Sequence, residues 1–93
     1  MKITAMTIRL YAPGVHSLKE KRMIVKSLIA KIRNNFNVSV SEIGEQDVHQ
    51  FIEIGVAAIV PHNAMGDRLM NAIEIFVENN TEAEIVDTKI ELR

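Results

Sequence analysis

Four cations, Lys19, Arg22, Lys26 and Arg33, are spaced so that a helix turning 100° per residue gathers them within roughly 60° of one another. Lysine and arginine in a row along one helix flank suit a phosphate backbone, because each phosphate they neutralise releases counterions. The expected ligand of that flank is RNA. A second set, His16, Ser17, His62 and Asn63, falls just before or at the start of two expected helices. Unpaired amides and the positive end of the helix dipole attract anions there, so a small anionic metabolite is the alternative ligand. The three histidines show no close spacing with Asp or Glu that would suit a metal, and no metal or other cofactor is expected. Ser17, Ser27, Ser39 and Ser41 have cap, helix or strand explanations and no indicated histidine–carboxylate partner, so no catalytic residues are assigned.

The basic row needs a helix. Leu18, Val25, Leu28, Ile29, Ile32 and Phe36 recur at helical spacing and form an apolar face beside it. Ser17-Leu18-Lys19-Glu20 fits a capping box, with the Glu20 carboxylate reaching back to Ser17, so the helix begins near Leu18. Asn34 and Asn35 suit a left-handed ending. Before it, Met6, Ile8 and Leu10 alternate with Thr7, Arg9 and Tyr11 as in a half-buried strand, which Ala12-Pro13-Gly14 breaks.

After the helix, residues 36–43 alternate as a second strand, and Gly44 to Asp47 read as a hairpin turn. Residues 51–60 are apolar on both faces and suit a central strand ended by Pro61. Asn63 can cap a second helix with a stripe of Met65, Leu69, Ala72, Ile73, Phe76 and Val77. Val86, Thr88, Ile90 and Leu92 mark a last strand.

The chain is 93 residues long, enough for one core, and a single domain over 1–93 is expected. Its net charge of −1 hides a division: residues 16–33 carry six cations against Glu20, a balance of +5, and the rest of the chain balances at −6. With no cysteine, no disulfide framework is available, and the cytoplasm is the expected compartment. The first residues run directly into strand-like sequence without a secretory apolar segment, and no apolar run approaches the ~20 residues of a membrane helix.

The run His16-Ser17-Leu18-Lys19-Glu20-Lys21-Arg22, then Val25-Lys26-Ser27-Leu28, Phe36-Asn37-Val38-Ser39-Val40, Glu42, Gln46-Asp47 and Gly55-Val56-Ala57 resemble the bacterial YlxP-like family over nearly the whole chain. That resemblance implies a ferredoxin-like fold and no assigned activity. It also implies a translation context, since the family's genes often neighbour those of translation initiation factor two and a ribosome-binding factor. At His49 the chain departs from the family, which has an aromatic, usually tryptophan, after the Gln-Asp pair.

The element order βαββαβ predicts an α+β sandwich, a four-stranded antiparallel sheet with two helices on one face. Strands one and three are expected as parallel central neighbours, which would bring both helix N-termini to one edge and set His49 at the other. The uncovered face would show Thr7, Arg9, Tyr11, Ser39, Ser41, Phe51, Glu53 and Ile59, and with Ile43 and Ile85 would pair two copies in a homodimer. An RNA-recognition module of this topology would carry an RNP1 motif, which is missing. An acylphosphatase-like hydrolase would need an arginine in residues 13–17, and none is there. The function expected is therefore a non-catalytic protein that associates with RNA or a ribosomal subunit through Lys19, Arg22, Lys26 and Arg33.

Overall fold

The computed structural model describes residues 1–93. Its elements are β1 (Lys2–Tyr11), α1 (Leu18–Asn35), β2 (Ser39–Gly44), β3 (Phe51–Val60), α2 (Asn63–Asn80) and β4 (Glu84–Leu92). The four strands form one sheet in the order β2-β3-β1-β4, so the expected ferredoxin-like α+β architecture is the one observed. Every neighbouring pair is antiparallel.

One expectation is overturned here. β1 and β3 are antiparallel central neighbours, with Lys2 opposite Val60 and Tyr11 opposite Phe51. β3 returns from the hairpin against the direction of β1 and β2, and therefore ends where β1 begins.

The two faces of the sheet follow the period of two. Met6, Ile8 and Leu10 of β1 and Ile52, Ile54 and Val56 of β3 point to the helix side and are almost fully buried. They meet Val25, Leu28 and Ile32 of α1 and Met70, Ile73 and Val77 of α2 in one core of 16 residues. α2 is rotated from the expected stripe: Gly66, Met70, Ile73 and Val77 are buried, whereas Met65 and Ala72 are exposed. Gly66 explains the rotation. It lies so close to β1 that an added Cβ would stand 3.3 Å from the Thr4 Cβ, a tight contact that the missing side chain avoids, so the helix sits near the sheet. Phe36 and Phe76 meet edge to face at 5.4 Å and join the two helices.

The helix ends are also resolved differently from expectation. The Glu20 N–H donates to Ser17 Oγ at 3.1 Å as a capping box requires, but Glu20 Oε2 accepts from the His16 N–H instead of that of Ser17. α2 is capped by His62, whose Nδ1 accepts from the Met65 N–H at 3.3 Å, and not by Asn63. At the end of α1 no asparagine turns left-handed; Phe36 is extended, and Asn35 Nδ2 donates to the Lys31 carbonyl. The only positive φ belongs to Glu45 in the β2–β3 hairpin.

Candidate functional site

Lys19, Arg22, Lys26 and Arg33 are all exposed on α1. They lie on its flank toward the edge strand β2, where Arg22, Lys26, Arg33, Val40, Ser41 and Glu42 line an open groove. Arg33 Nη2 donates to the Val40 carbonyl at 3.0 Å and fixes the helix to that edge. No carboxylate comes within 4.0 Å of any of the four head groups, because the four ion pairs of the protein lie elsewhere. The flank is thus a row of cations none of which is in an ion pair, and the one carboxylate lining the groove, Glu42, is paired with Lys21. Lys31 sits on the other flank, where its Nζ donates to the Asn80 carbonyl of α2.

Lys21 differs from its neighbours. It is 1% exposed and extends under the hairpin, where its Nζ donates to the carbonyls of Glu45 and of Val48, the latter at 2.8 Å. Its counter-charge is Glu42 Oε2 at 3.4 Å. Lys21 therefore adds nothing to the exposed charge, although it belongs to the cationic segment. A signal was present in the sequence: Lys21 stands four residues before Val25 and seven before Leu28, on the apolar seam and off the basic row.

The second expected set is not brought together. Because β1 and β3 run antiparallel over ten residues, the α1 start and the α2 start lie at opposite ends of the sheet, roughly 30 Å apart. His16 and Ser17 do not approach His62 and Asn63, and no composite anion pocket forms from the four. His49 is displaced from expectation for the same reason. The Ala12 N–H donates to the Gln50 carbonyl, so the His49 hairpin lies at the His16 end, away from His62. No three His, Asp or Glu side chains gather in a geometry for a metal.

On the helix-free face, Tyr11 and Phe51 stack across the central strands at 5.2 Å, and the Arg9 guanidinium lies 4.1 Å over the Phe51 ring. Arg9 also reaches Glu45 at 3.8 Å. Ile43 and Ile59 are exposed on this face, Ile43 lying over Gly55. Ile85 is not on it: it pairs with Leu10 and packs on the core from the helix side. The largest cleft, about 730 Å³, opens between α1 and the loop 81–83. Its charged residues are Glu20, Lys31 and Glu82, of which Glu20 caps α1 and Lys31 bonds to Asn80. No helix is long and apolar enough to cross a membrane.

The uncharacterized protein YlxP of Bacillus subtilis (strain 168) is 36% identical over 75 residues, which span 81% of this chain and 82% of that protein. The de novo designed protein Foldit4 is similar in structure over 99% of this chain and 92% of its own, at 13% identity and a TM-score of 0.46. A family model described as a protein of unknown function (DUF503) matches residues 3–90, and the chain belongs to that family.

Proposed function

We propose that this protein is a non-catalytic RNA-associated module whose α1 flank lies along a phosphate backbone, with a ribosomal subunit as the partner toward which the family resemblance points. The observation that carries the reading is the absence of any carboxylate partner for Lys19, Arg22, Lys26 and Arg33 on one exposed flank. The one acid lining the groove, Glu42, is held by the buried Lys21, which leaves the exposed cations to an external anion. Four cations neutralising four phosphates, with release of the condensed counterions, give a log–log salt slope of roughly −3 for single-stranded RNA and nearer −4 for a duplex. The test is fluorescence anisotropy with labelled RNA between 50 and 300 mM salt. Arg22→Glu with Lys26→Glu is expected to remove about half of that slope and lower affinity at least about tenfold at low salt. RNA binding equal in the two proteins, or a wild-type slope near zero, would overturn the reading.

A further inference from the structure

The sheet has two free edges, and they are treated differently. β2 is only six residues long, is kinked by an irregularity between Glu42 and Gly44, and has its Val40 carbonyl taken by Arg33. Such features guard an edge against pairing. β4 is nine residues long, and most of it is exposed. Its irregularity lies at its start, against Arg9 and Leu10, so Asp87 to Arg93 run regularly along β1.

We propose that the β4 edge pairs with the same edge of a second copy of this chain, antiparallel and centred on Ile90, which joins two sheets into one of eight strands. Ile3 and Arg93 exchange both backbone bonds, so by alternation Glu91, Lys89 and Asp87 also turn their amides toward β1. Thr88, Ile90 and Leu92 then turn theirs to the free edge. In the proposed register Ile90 meets Ile90 of the partner subunit, and Thr88 meets the partner's Leu92, so the outward groups of all three are satisfied. Ile90 and Leu92 are 44% and 38% exposed and would be covered.

The charges select the register. Asp87, Lys89, Glu91 and Arg93 alternate in sign along one face of the strand. Read antiparallel about Ile90, Asp87 faces the partner's Arg93 and Lys89 faces the partner's Glu91, with both pairs repeated by the two-fold axis. Centring on Thr88 instead keeps one attractive pair, Asp87 with the partner's Lys89, but leaves Glu91 opposite the partner's Ile85, so only the Ile90 register pairs all four charges. Within one chain Glu91 already attracts both Lys89, at 3.9 Å, and Arg93, at 3.4 Å, and all three are exposed. On the helix side, Asp67 and Glu78 are exposed on α2 on the flank away from the Phe36–Phe76 contact, so like charges bound the interface there and oppose its tightening.

Sedimentation equilibrium across 10 μM to 1 mM tests this. The wild type is expected to show a monomer–dimer equilibrium. Lys89→Glu sets Glu against Glu twice and is expected to weaken it at least about tenfold. Adding Glu91→Lys restores opposite signs and is expected to restore most of the affinity, which a folding defect would not allow. Ile90→Lys is expected to abolish dimers with an unchanged circular dichroism spectrum, and Ile59→Lys, on the helix-free face, to leave them intact. A wild type monomeric at 1 mM, failure of the swapped variant to recover, or dimers lost with Ile59→Lys and kept with Ile90→Lys would overturn the proposal.

Discussion

Lys21 is the side chain on which the hairpin end of the molecule depends. Its ammonium supplies the donor to two loop carbonyls and the counter-charge to Glu42, and it is buried to 1% exposure. Lys21→Met keeps the apolar stem but leaves Glu42 without its counter-charge and the Val48 carbonyl without the lysine donor, while the Glu45 carbonyl keeps the Val48 N–H. We expect a loss of roughly 2–4 kcal/mol, because a partly buried carboxylate loses its counter-charge and a loop carbonyl its charged donor. Urea unfolding at constant m-value measures it, and a loss below ~0.5 kcal/mol would show that the loop is held by other means. The position of Lys21 on the apolar seam was legible from spacing. Its burial was not, because a lysine's partners here are backbone carbonyls 24 and 27 residues away, which no local pattern encodes. His62 is the second informative residue. An imidazole caps α2, and the first turn holds no acidic side chain. Asp accepts the same amide bond and adds a negative charge at the positive helix end, so His62→Asp is expected to stabilise by about 0.5–1.5 kcal/mol. That raises Tm by about 2–8 °C for a chain of this size, read by differential scanning calorimetry, and an unchanged or lower Tm would contradict the cap assignment.

α1 combines three surfaces in one helix. Its seam enters the core, one flank reaches α2 through Lys31, and the other presents the basic row to the β2 edge. The row and the seam were both readable at a period of 3.6, since helical geometry alone fixes which side chains share a flank. Helix ends were less readable: serine and asparagine report a capping tendency, but which residue closes a helix depends on where the chain must leave it. Asn63 thus yielded to His62 because the extended residue after Pro61 is His62. The separation of flanks gives an element-scale expectation. Arg22→Glu with Lys26→Glu leaves the seam and the α2 contact untouched, so its stability should match the wild type within about 0.5 kcal/mol while RNA affinity falls. A variant that loses both together would mean that the row supports the fold instead of a ligand.

At the scale of the molecule, strand direction decides what can act jointly. The order of elements was legible, and with it the sheet with both helices on one face. The sense of β1 against β3 is the reverse of the one expected, because β3 turns back through the hairpin between two parallel strands, and that single reversal separates two helix starts that would otherwise share an anion. Charge is distributed on the same plan. The basic row lies on the β2 side of α1, while Asp67 and Glu78 lie on α2, beyond the helix pair's contact. Helix axes pack about 8–10 Å apart, so the far flank of α2 stands well beyond the ~8 Å Debye length at physiological salt. Location should therefore outweigh net charge. Asp67→Asn with Glu78→Gln raises the net charge by two, and Arg22→Gln with Lys26→Gln lowers it by two. If the flank alone holds the phosphates, the first pair changes RNA affinity by less than about twofold at 0.15 M salt and the second by about tenfold or more. Equal and opposite changes, measured by anisotropy on one RNA, would mean that the protein acts through its overall charge and that α1 has no privileged part in binding.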